Sequence, residues 1–106
     1  MGLIKMKLLI ITAIKEFEKE IKHQLKNAKV NTFSYQNTIG YRDSTMDVIE
    51  SNWFSTEMNK SESVLFYTFV KKENVETLFE TINGFNAKQE MLSQIHVAVL
   101  AIEKSN

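Results

Sequence analysis

Apolar residues in this chain fall into two kinds of run, some consecutive or alternating and some spaced every three or four positions. Met6 to Ala13 holds Leu8, Leu9, Ile10 and Ile11 in succession, which predicts a strand with two apolar faces. From Ile14 to Asn27 the period changes. Ile14, Phe17, Ile21 and Leu25 form one helical stripe, and Glu16, Glu18, Lys19, Glu20 and Lys22 form the solvated side. Glu18 and Lys22 make a favourable i,i+4 pair. Lys29 to Gln36 predicts a second strand, apolar only at its aromatics, as an edge strand would be. Ser63 to Val70 is rich in β-branched and aromatic residues and has neither charge nor glycine. Its alternation sets Val64, Phe66 and Val70 on one face and Leu65, Tyr67 and Phe69 on the other, which predicts a central strand. Val75, Leu78, Phe79 and Ile82 mark a second helix, with Gly84 as its expected stop. Gln94 to Glu103 predicts the last strand, with Ile95, Val97 and Val99 on one face and Ala98, Leu100 and Ile102 on the other.

The order strand, helix, strand, strand, helix, strand predicts an α+β, ferredoxin-like fold. It comprises a four-stranded antiparallel sheet with both helices on one face. Two helices cannot cover two faces, yet three strands are apolar on both. The open face is therefore expected to bury itself against other copies of the chain. A Val97→Asp or Leu100→Asp change is expected to break that assembly, because it would strand a charge in a dry interface. Residues 1–106 read as a single domain, with 1–5 as a loose tail and 37–62 as a long inter-strand loop. Within the loop, Ser44 and Asp47 have the spacing of a weak capping box, which suits a short helix through Met46, Ile49 and Trp53. The arms of a long hairpin suit the same residues equally well.

Composition narrows the function classes. The chain carries 13 basic and 13 acidic residues and no net charge, which argues against a nucleic-acid footprint. It has no cysteine, so disulfides and thiolate metal sites are excluded, and a reducing compartment such as the cytoplasm is expected. No run approaches the ~20 apolar residues of a membrane span.

Candidate chemistry is sparse. His23 reads as a surface histidine. His96, beside Ala98 and Leu100, reads as an interface or core histidine ahead of a metal ligand, because no second ligand stands at useful spacing. Asp43 and Asp47 lack a neighbouring histidine or nucleophile. There is no phosphate-loop, dinucleotide, nucleophile-elbow or zinc-protease motif, so the chain is not expected to be an enzyme. RNA-recognition domains share this strand order and place aromatics on the open face, and Phe66, Tyr67 and Phe69 lie on the strand that would supply them. Their glycine-and-basic consensus is missing here, and the middle loop is longer.

Met6-Lys7-Leu8-Leu9-Ile10-Ile11, the helix with Phe17 and Leu25, Val30 to Gln36, Gly40-Tyr41-Arg42 and the closing strand together resemble the nitrogen-regulatory PII-like signalling proteins. The similarity lies in layout and hydrophobic pattern and spans about Met6 to Glu103. It implies a homotrimer with open faces inward and small ligands bound between subunits. It also implies a long loop that contacts a partner such as a membrane transporter or an enzyme. The ligand site is expected near Gly40, Tyr41, Arg42 and Lys88. Arg42 offers a planar fork for a carboxylate or phosphate, and Lys88 offers a point charge. The glycine-rich basic loop of nucleotide-binding members is replaced by Phe85 to Ser93, with no glycine and one lysine. The tyrosine that is uridylylated in some members has no counterpart. The CutA-like trimers, linked to divalent metals, share the topology and are the alternative, alongside a purely structural oligomer. No motif supports an adenine nucleotide or a divalent metal, so the cofactor stays unassigned. Trp53 and Phe54 lie in the long loop in a polar setting. Their apolar area asks for burial, either as a staple on the protein's own surface or as an anchor in a partner.

Overall fold

A computed structural model of the chain describes residues 5–41 and 60–106. Strand β1 (Met6–Ile14) leads through a 3-10 turn (Lys15–Phe17) into helix α1 (Glu18–Asn27). Strands β2 (Ser34–Tyr41) and β3 (Lys60–Lys71) follow. A second 3-10 turn (Lys72–Asn74) opens helix α2 (Val75–Lys88), and β4 (His96–Ala101) closes the sheet. The strand order is β2-β3-β1-β4, with every neighbour antiparallel. This is the predicted ferredoxin-like arrangement, with β3 and β1 central.

The core lies between the sheet and the helices. Leu9 and Ile11 of β1 and Val64 and Phe66 of β3 are wholly buried beside Ile21 and Leu25 of α1 and Ile82 of α2. The alternate residues point to the open side. The register aligns Leu100, Leu8 and Phe69 in one row across the sheet and Ala98, Ile10 and Tyr67 in the next. Phe69 is 57% exposed, Tyr67 45% and Leu100 43%. The uncovered apolar face expected from the two-faced strands is therefore present.

The largest differences from the predicted bounds fall on three elements, while the other strands and the first helix shift by a few residues at their ends. The second strand, expected at Lys29 to Gln36, begins five residues later. Lys29 takes a positive φ of 66° at the end of α1, and Val30 N–H donates to the Leu25 carbonyl, a helix-ending turn. Val30 then enters the core, and the Thr32 carbonyl accepts the Thr68 hydroxyl. The chain joins the ladder only at Ser34. The long loop expected over 37–62 is shorter, because Asn37–Tyr41 pairs with Lys60–Val64 as the arms of a hairpin. Gly84 does not stop the second helix, which runs on to Lys88. The reason is tertiary: Phe85 packs edge-on against Phe17 with centroids 5.1 Å apart, and Asn86 binds the backbone of Ile95.

Val97 also needs correcting as a probe of the open face. It packs against the core, so an aspartate there would disrupt folding before it reported on assembly. Of the tail expected at 1–5, Lys5 is tied down, its carbonyl accepting the Lys72 N–H at 2.9 Å.

Candidate functional site

Gly40 sits near the outer end of β2, opposite Ser61. A Cβ there would stand 2.9 Å from Ser63 Oγ and 3.1 Å from Ser61 Oγ, so glycine lets the two strands carry serines at close approach. On the open side this leaves a hollow of about 530 Å³. Gly40 and Thr38 of β2, Thr12 of β1 and Ser63 of β3 line it, together with His96 of β4 and Leu92, Ser93 and Gln94 of the α2–β4 connection. Its polar groups are hydroxyls, an amide and an imidazole. Such a set can donate and accept hydrogen bonds around a small polar ligand.

The α2–β4 connection is ordered without glycine. The Asn86 amide donates to the Ile95 carbonyl and accepts the Ile95 N–H, both at 2.9 Å. The Gln89 amide donates to the Ser93 carbonyl at 2.7 Å and accepts the Met91 N–H at 2.6 Å. The backbone N–H groups of Met91 and Ile95 are thus taken by side chains within the connection.

Of the expected site residues among those described, Gly40, Tyr41 and Lys88, the structure brings Gly40 alone to this hollow. Tyr41 follows it on an alternating strand, so its side chain leaves by the other face and is 66% exposed. Lys88 ends α2 outside the lining, although the connection it begins does reach the hollow. Arg42, Trp53 and Phe54, and the short helix considered through Met46, lie outside the described residues. His96, read as an interface or core residue, is exposed in the single protomer and faces the hollow. Thr12, Thr38, Ser63, Ser93 and Gln94 escaped the sequence reading. They converge only through strand register, and the available signal was the polar pair Thr12 and His96 interrupting an otherwise apolar face.

The clearest electrostatic feature lies on the helix side. The Lys22 ammonium stands 3.0 Å from the Tyr35 hydroxyl and 4.3 Å from that ring's centre, and it pairs with Glu18 at 3.0 Å. These contacts, Tyr35 first, hold the Lys22 pKa above the ordinary lysine value. Tyr35 in turn stacks on Phe66 with centroids 4.9 Å apart, fastening the edge strand to α1 and the core. Among the described residues no group of three or more metal-ligating side chains comes together, and no helix is long and apolar enough to cross a membrane.

The sequence matches no protein-family model and no curated protein. Its fold, in contrast, is shared with solved structures. The chain superposes on B. subtilis GlnK with a TM-score of 0.64 at 16% identity, covering 93% of this chain and 86% of that one. Arabidopsis thaliana PII, solved bound to citrate, gives 0.64 at 14% identity, with 92% and 78% covered. CPII, a nitrogen regulatory PII-like protein from Thiomonas intermedia K12 solved with ADP, AMP and bicarbonate, gives 0.61 at 14% identity, with 95% and 96% covered. Sheet order, helix placement and these superpositions agree: the chain has the ferredoxin-like fold of the PII-like proteins.

Proposed function

We propose that this chain is a non-enzymatic, PII-like regulatory protein of the cytoplasm. It assembles as a trimer with open sheet faces inward, binds a small ligand between subunits, and signals to a partner protein through the segment 42–59. The observation that carries the reading is the uncovered apolar face formed by Leu8, Ile10, Tyr67, Phe69 and Leu100. Exposed apolar area of this kind is stabilised by a second surface.

The hollow at Gly40 opens on the same side of the sheet, so subunits that cover the face also border the hollow. Citrate, ADP, AMP and bicarbonate, each bound by one of the similar proteins, are the first ligands to try. The partner, a membrane transporter or an enzyme, would read segment 42–59. Trp53, the chain's only tryptophan, reports on that segment by its fluorescence.

The test has two parts. Light scattering on the purified protein should give three times the protomer mass, and a monodisperse monomer would overturn the reading. Melting temperature should then rise with one of these ligands and not with divalent metals. A rise with metals alone would favour the CutA-like alternative. A blue-shifted, quencher-protected Trp53 signal that no ligand or candidate partner changes would make Trp53 a local staple and remove the signalling segment from the proposal.

A further inference from the structure

On the open side of the sheet the chemistry changes from row to row. The row of Leu100, Leu8 and Phe69 and the row of Ala98, Ile10 and Tyr67 are apolar but for one phenol. The next row, His96, Thr12, Leu65 and Gln36, turns polar. Beyond it come Ile14, Ser63 and Thr38, and then Ser61 and Gly40. The hollow at Gly40 lies over this polar half.

Thr12, Thr38, Ser63 and Ser93 bring hydroxyls to the hollow, Gln94 an amide and His96 an imidazole. Hydroxyls and amides can turn their donors to an anion, but they set no charge against it. An anion that leaves water for such a lining is poorly compensated. The imidazole is the one group among the described lining residues that becomes positive near neutral pH. Other charged residues of the surrounding elements lie apart from it. Glu62 follows the strand alternation to the helix side and stands 3.8 Å from Lys15 there. Glu90 and Lys88 are exposed and outside the lining. Lys7, Glu103 and Lys104 belong to the far end of the sheet. Lys60 stands opposite Tyr41, one rung beyond Gly40.

We infer that the hollow takes a small oxyanion, carboxylate or tetrahedral, and that His96 takes up a proton with it. The inference rests on the reading of this hollow as the ligand site and adds the class of ligand and its control. The imidazolium donates a charge-assisted hydrogen bond to the anion, and the neighbouring hydroxyls serve its other oxygens. The coupling is reciprocal: acid strengthens anion binding, and the anion strengthens proton binding. Such a site reads an anion and acidity together.

Sulfate and formate are the probes, one tetrahedral and one planar, and both keep their charge between about pH 5 and 8, where an imidazole changes its own. Titration calorimetry on the full chain should show at least one of them binding roughly tenfold more tightly at the acid end, within the limit of about tenfold per pH unit for one linked proton. Ring-proton NMR tests the reverse direction on the unmodified protein. With the probe bound, the His96 signal should titrate about one pH unit higher, the reciprocal of a tenfold coupling. His23, on α1 with its ring 3.2 Å from the Asn27 amide, is the internal reference and should not move. His96→Gln keeps a hydrogen-bonding side chain without the charge and should bind weakly at every pH. His96→Lys keeps the charge throughout and should bind equally well at both ends of the range. Circular dichroism verifies that both variants fold. A probe bound with the same affinity at both ends, or bound as well by His96→Gln, overturns the inference and leaves the ligand-binding reading standing. If neither probe binds at any pH, the inference is overturned as well. A melting-temperature rise with ADP or AMP then still upholds the ligand-binding reading, and no rise with any ligand named above removes both.

Discussion

Asn86 shows how much one side chain can hold. Its amide satisfies both the donor and the acceptor of Ile95, joining the end of α2 to the start of β4. Asn86→Ala removes both bonds and should destabilise the protein by about 1–3 kcal/mol. Urea unfolding should show this as a lower midpoint with unchanged slope. Lys22 makes a second prediction at this scale. Its pKa is raised in the folded protein by Tyr35 and then Glu18, so the charged form is the one that stabilises. That contribution is complete below the ordinary lysine pKa and fades as pH rises through the raised value. Lys22→Met should therefore melt lower than the unmodified protein at neutral pH, and the gap should close in strongly alkaline buffer. A gap independent of pH would mean that the lysine stem, and not its charge, makes the contact with Tyr35.

Helix α2 and strand β2 show where element-level signals hold and where they fail. Gly84 sits inside α2, where an added Cβ would meet nothing within 4 Å. Gly84→Ala should stabilise the protein by about 0.5–1 kcal/mol, read as a melting temperature a few degrees higher. The helical stripe was legible up to Ile82. Its continuation was not, because the edge-on contact of Phe85 with Phe17 joins residues far apart in sequence. Strand β3 was legible because both of its faces are apolar, a pattern that suits a central strand. The displacement of β2 was hidden because Asn37 to Tyr41 is polar or exposed and held mainly by cross-strand pairing. The candidate site divides in the same way. Gly40 could be picked out as a glycine at the loop mouth, while its hydroxyl neighbours come from its own strand, two other strands and one connection.

At the scale of the whole molecule, the open face and the core respond to different substitutions. Leu100→Asp places its charge on the uncovered side, so the protomer should stay folded and assembly should be lost. Val97→Asp places the same charge against the buried cluster and should lower the melting temperature of the protomer itself. Circular dichroism and sedimentation on the pair separate the two faces. Identical behaviour of both variants would contradict the assignment of faces.

Tyr41 and Lys60 pair directly as the last rung of the β2–β3 ladder. Opposed residues on such a rung stand about 5 Å apart, whatever the chain does between them. Segment 42–59 thus leaves and re-enters the fold through a single narrow doorway, like a cassette in a slot. Exchanging the whole segment for a two-residue Asn-Gly turn, which spans that gap in a tight hairpin, should leave a protomer that folds with nearly unchanged urea midpoint. If the segment carries the signal proposed for it, the exchanged protein would be folded but deaf, and foreign segments inserted at the same doorway would give chimaeras on one scaffold.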